Sequence, residues 1–90
     1  MVAMFKIETQ FGLFQRIFEL MKKEGKKAIS IYDLIEYMDI EANGLKLLLD
    51  QIYWLAAIGL IALSFEDGNE GKETIIRITP LGEIYLKENT

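Results

Sequence analysis

The run GLIALSFEDG at residues 59–68, followed by ETIIRITPLGEIYL at residues 73–86, decides how this chain is read. Within it Ile61, Leu63 and Phe65 alternate with Ala62 and Ser64, and residues 74–78 are rich in β-branched side chains. Strands are therefore expected over residues 60–65 and 74–78. Residues 67–72, with Gly68 and Gly71, supply the loop between them. Thr79 and Pro80 then place a capping side chain and a proline at the start of a last helix, with Leu81, Ile84 and Tyr85 expected to face inward.

Upstream of this block the periodicity becomes helical. Phe11, Phe14, Phe18 and Met21 recur at helical spacing over residues 11–23, and Leu13, Ile17 and Leu20 form an adjacent stripe. The two stripes cover about half the circumference, more than the ~100° that an ordinary surface helix needs. Leu13, Ile17 and Leu20 are accordingly expected to meet a partner. Gly25 is a C-terminal stop, preceded by Lys22 and Lys23 where cations suit the helix dipole. Ser30 with Asp33 has the spacing of a capping box, and Ile29 with Leu34 that of a hydrophobic staple. A second helix is thus expected to run to Met38, turning Leu34, Ile35 and Met38 toward the core. After a turn over residues 39–44, Leu45, Leu48, Ile52 and Leu55 form the inner face of a third helix that ends at Gly59. On that helix Leu47, Trp54 and Ile58 cluster on a different side, giving it two apolar faces as well. Residues 1–10 read as an N-terminal arm or a short strand, and residues 11–90 as one domain.

Composition narrows the function classes. With 90 residues, 51% of them hydrophobic, the chain forms one compact domain. A domain of this size buries only about 60% of its unfolded surface, so pairing with a second copy is expected. There is no cysteine and no histidine. That removes disulfides, thiolate nucleophiles, the commonest metal ligands and the commonest general base, and the chain is expected not to be an enzyme. No cofactor or metal is implied: Gly68 and Gly71 match no phosphate-binding pattern, and the acid pairs Asp33 with Glu36 and Glu66 with Asp67 read as solvated surface. Ser30 reads as a cap, because no histidine is present to activate it. The longest apolar run, residues 52–63, falls short of the roughly 20 residues that cross a bilayer. The N-terminal MVAMFKIETQ lacks the features of a secretory signal, so no membrane association and a cytoplasmic location are expected.

The order helix, helix, turn, helix, strand, loop, strand, helix over residues 11–89 resembles the winged helix-turn-helix family of microbial regulators. Gly59-Leu60-Ile61 is similar to the step that ends the family's third helix, and Ile78-Thr79-Pro80-Leu81-Gly82 resembles the segment that follows its wing. The resemblance implies an α/β fold, mostly α, with a three-helix core, a two-stranded β-wing and a C-terminal helix. It also implies a third helix that enters the major groove of DNA, the corresponding positions here being Glu41, Asn43, Lys46, Leu47, Asp50 and Tyr53. The charges depart from that pattern. Residues 39–53 carry a net charge of −2 and residues 66–73 a net charge of −3. DNA affinity comes largely from Lys and Arg neutralising phosphates, so acids on both reading surfaces repel the backbone.

Two functions follow as expectations. The first is a non-catalytic, macromolecule-binding module that homodimerises or docks on a larger protein. Leu47, Trp54 and Ile58 would be its anchors, since Trp is enriched among residues that dominate binding energy, and Leu13, Ile17 and Leu20 a second contact surface. The alternative is a DNA-binding transcriptional regulator using Asn43, Lys46, Tyr53 and Lys72. Under it Lys22, Lys23, Lys26 and Lys27, the chain's basic cluster, would be joined in a dimer into one basic surface.

Overall fold

The structure, a computed structural model, describes residues 9–68 and 71–88. Among them the chain forms four α-helices and a three-stranded antiparallel sheet of order β1-β3-β2. Helix α1, Thr9–Glu24, is the longest, and its start takes in Thr9 and Gln10 from the expected arm. The expectation for residues 1–8 lies outside the described residues. Gly25 ends α1 at φ +65°, where its N–H donates to the Lys22 carbonyl at 3.2 Å and that of Lys26 to the Met21 carbonyl at 2.9 Å. This is the paired-bond stop that a glycine in left-handed conformation makes possible.

Strand β1, Ile29–Ser30, leads directly into α2, Ile31–Met38. The capping box forms as its spacing predicts: the Asp33 N–H donates to Ser30 Oγ at 3.0 Å, and the Ser30 N–H to Asp33 Oδ2 at 3.3 Å. Ile29 and Leu34 are both buried, as a hydrophobic staple requires. Helix α2 stops at Asp39, which adopts φ 56° without being glycine. A 3-10 turn, Ala42–Gly44, then feeds α3, Leu45–Ala57. Leu48, Ile52 and Leu55 are fully buried, and Gly59 at φ +90° turns the chain out of α3.

Strands β2, Ile61–Gly68, and β3, Gly71–Ile78, pair in register from Ile61 with Ile78 to Gly68 with Gly71. Pairing thus runs through residues expected to form a loop, because Asp67 and Lys72 face each other and their side chains join at 3.0 Å. Helix α4, Pro80–Glu88, starts as read from Thr79-Pro80. Thr79 ties three elements together. Its hydroxyl accepts from the Gly82 N–H at 3.0 Å and donates to the Gly59 carbonyl, while its own N–H donates to the Leu60 carbonyl at 3.1 Å.

Two expectations about faces are corrected. Leu13, Ile17 and Leu20 are not a contact surface: they are buried in the core of this single chain with Phe14, Leu34 and Ile76. Helix α1 is apolar over half its girth because α2, α3 and α4 all pack on it, Phe14 lying against Tyr85 and close to Gly82 of α4. On α4, Leu81 and Ile84 do not face inward but stand 52% and 53% exposed, and Gly82 and Leu86 are the buried pair. The backbone sets this rotation. A Cβ on Gly82 would overlap the Leu60 carbonyl oxygen and approach Ile78 Cγ2 to 2.9 Å, so α4 sits with its one side-chain-free position against the entry to β2.

Candidate interaction surfaces

Three surfaces carry the residues singled out from the sequence. The first lies where α1 begins and α3 and α4 converge. Phe11 packs edge-on against Trp54 with ring centroids 5.6 Å apart and stacks on Tyr85 at 5.2 Å. Trp54 is half-buried and rests on the core, whereas Leu47 and Ile58 are each 41% exposed. Leu81 continues the face, since its Cδ2 lies 3.4 Å from where a Gly59 Cβ would stand, next to Ile58. Leu81, Ile84 and Tyr85 share one flank of α4 by helical spacing. Helical spacing puts Leu47, Trp54 and Ile58 on one flank of α3, Trp54 half-buried and the other two exposed, and the structure joins Phe11 and Tyr85 to Trp54. The rotation of α4 that buries Gly82 and Leu86 turns Leu81 and Ile84 outward onto this face, which their apolar character alone does not announce.

The second surface is the outer side of α3 with the β2–β3 hairpin. Asn43 and Tyr53 are exposed there. Every Lys or Arg on α3 and the described hairpin is paired with a carboxylate: Lys46 with Asp50 at 3.2 Å, Lys72 with Asp67 at 3.0 Å, and Arg77 with Glu66 at 2.7 Å. Such exposed pairs add little stability, but they leave the surplus acids to set the sign of the local potential. A hydrogen bond from Arg77, then one from Ser64, holds the Glu66 carboxyl below its ordinary value. Beside this network Tyr53, Leu63, Phe65 and Thr74 line a crevice of about 230 Å³. Phe65 stands 73% exposed at its edge. The alternation of β2 places Phe65 on the same face as Ile61 and Leu63, but that face extends past the end of the core.

The third surface holds the lysines in the last turn of α1 and just after it. The structure brings Lys22, Lys26 and Lys27 to one groove of about 560 Å³ between α1 and α4. It sends Lys23 elsewhere, with Nζ 5.5 Å from the Tyr37 ring centroid. Lys22 lies over Phe18 at 6.0 Å, and Lys26 pairs with Glu24 at 3.4 Å. The basic cluster of the sequence is thus split. Its larger part shares a groove with Arg77 and Ile78 at the end of β3, and Asn43, Lys46, Tyr53 and Lys72 are not among the residues that line it. Among the described residues no helix is long and apolar enough to cross a membrane. Comparison of the chain with protein-family models, with curated proteins and with solved structures returns no match in any of the three.

Proposed function

We propose that this chain is a non-catalytic winged-helix module whose work is protein association, and that it pairs with a second copy of itself through the face built on Phe11, Trp54 and Ile58. The order of its elements, the β1-β3-β2 sheet and the Thr79-Pro80 start of α4 support the winged-helix reading. The observation that carries the association is the aromatic cluster of Phe11, Trp54 and Tyr85, left half open to solvent and bordered by the exposed Leu47, Ile58, Leu81 and Ile84. Single exposed apolar residues need no explanation, but a contiguous group with a Trp at its centre has the composition of a binding hot spot. A second copy is the natural occupant of such a face, because a two-fold arrangement lets one apolar patch cover its equal without any complementary surface having to exist elsewhere.

The paired cations of α3 and the hairpin weigh against the DNA-binding alternative, since a Lys already held by Asp50 or Asp67 has less to offer a phosphate. The test combines light scattering with binding to duplex DNA at low and at physiological salt. A dimer that ignores DNA at both salts is the expected result. A monomer that binds DNA below micromolar concentration with a steep salt dependence would overturn the proposal.

A further inference from the structure

The chain has a net charge of −4, yet Lys22, Lys26 and Lys27 converge on one groove. The floor of that groove is apolar, formed by Phe18, Met21 and Leu86. A shallower depression of about 230 Å³ continues past Phe18 and Leu86 to Lys87. Arg77 also borders the groove, but its guanidinium is engaged by Glu66, and Lys26 is held by Glu24 at 3.4 Å. Glu83 borders both the groove and its extension.

Helix-end chemistry accounts for only part of this charge. The last carbonyls of α1 at Met21 and Lys22 already accept backbone N–H groups, and Lys26 and Lys27 lie beyond the helix. A phosphodiester chain would use the cations and waste the apolar floor, while a neutral apolar ligand would use the floor and leave the cations idle. A molecule with one acidic head and an apolar body uses both. The groove volume also falls in the range of roughly 300–1,000 Å³ that small-molecule sites occupy. We propose that this groove binds a small amphipathic carboxylate, its head against Lys22 and Lys27 and its apolar body over Phe18, Met21 and Leu86. Glu83 repels a carboxylate from the part of the groove it borders, which orients the ligand with its head at the lysines. The site lies on the other side of α4 from Leu81 and Tyr85, so it goes beyond the pairing face and does not depend on it.

The experiment is calorimetric titration of the full chain with hexanoate, decanoate and dodecanoate, all below micelle formation. Dodecyltrimethylammonium, inorganic phosphate and anionic phospholipid vesicles serve as comparison probes. Affinity is expected to rise about two- to threefold per added methylene, less than a fully buried CH₂ would give because the groove is open. The double charge reversal Lys22→Glu, Lys27→Glu should weaken dodecanoate binding at least tenfold while leaving the oligomeric state and the circular dichroism spectrum as they were, with a modest fall in melting temperature because an acid then stands in the last turn of α1. The proposal is overturned by any of four results: no saturable dodecanoate binding, equal affinity for the cationic amphiphile or for phosphate alone, indifference to the charge reversal, or binding to vesicles without binding to free carboxylate.

Discussion

Replacing Gly82 by Ala should destabilise the fold, although in most helices that exchange is favourable. Alanine gains about 0.5–1 kcal/mol over glycine from reduced chain entropy and better helix propensity. At Gly82 the added methyl meets the Leu60 carbonyl oxygen, a backbone atom that cannot rotate away, as well as Ile78 Cγ2 at 2.9 Å and Phe14 Cζ at 3.1 Å. Helix α4 must withdraw, which stretches the bond from the Gly82 N–H to the Thr79 hydroxyl and opens the packing around Phe14. Losing the cap costs about 1 kcal/mol, and overpacking of this kind typically costs another 1–3 kcal/mol. The balance is a loss of roughly 2 kcal/mol, or a drop in melting temperature of about 10 °C for a domain of this size. The assay is thermal and urea unfolding followed by circular dichroism, with Gly25→Ala as the comparison. A Cβ on Gly25 would have nothing within 4 Å, but the residue sits at φ +65°, so its substitution meets only the left-handed backbone cost of roughly 1–2 kcal/mol, less the entropic gain. A Gly82→Ala protein that melts at or above the wild-type temperature would refute the close approach of α4 to the entry of β2, and with it the rotation that exposes Leu81 and Ile84.

Other perturbations probe separate parts of the fold. Asp39→Gly should raise stability by about 0.5 kcal/mol, because the left-handed conformation at φ 56° strains any residue with a Cβ more than it strains glycine, read as a shift in the urea midpoint. Gln51 is buried on α3, and among the described residues its Oε1 has no hydrogen-bond partner; Gln51→Leu should therefore stabilise by about 1 kcal/mol in the same assay, and a loss would mean that this amide is satisfied after all. The Glu66 carboxyl, held low by Arg77 and then by Ser64, should titrate below the ordinary glutamate value by nuclear magnetic resonance and move up toward it in Arg77→Met. Since its folded value is the lowered one, its contribution to stability is present above the ordinary carboxylate value and fades as the pH falls through the folded value.

Local chemistry is readable from residue order, and long-range placement is not. The stop at Gly25, the Ser30–Asp33 box and the Thr79-Pro80 start each involve residues within a few positions of one another, so spacing alone announces them. Strand β1 has two residues and owes its existence to pairing with Ile75 and Ile76 far along the chain, which leaves no period to detect. Leu13, Ile17 and Leu20 stand out as a second apolar stripe, but a helical wheel says that a side needs covering and not whether the cover comes from the same chain. The reverse holds on α4, where the bulk of Leu81 and Ile84 outweighs Gly82 in any reading of the sequence, yet the glycine's lack of a side chain decides the orientation. On α3 the outer group of Leu47, Trp54 and Ile58 is legible because its own inner face, Leu48, Ile52 and Leu55, accounts for the core contact. The groove at Lys22 is not, since its floor joins Phe18 and Met21 to Leu86 across most of the chain.

On the proposed reading, a second copy covers the apolar face spanning α1, α3 and α4. Sedimentation equilibrium of the wild-type chain beside an Ile58→Glu, Leu81→Glu variant tests it most directly, because both side chains are exposed in the single chain and can be charged without disturbing its core. A wild-type dimer at micromolar concentration and a variant that is monomeric, with an unchanged circular dichroism spectrum, is the predicted result. A wild type that stays monomeric at high concentration, or a variant that dimerises as tightly as the wild type, would contradict it.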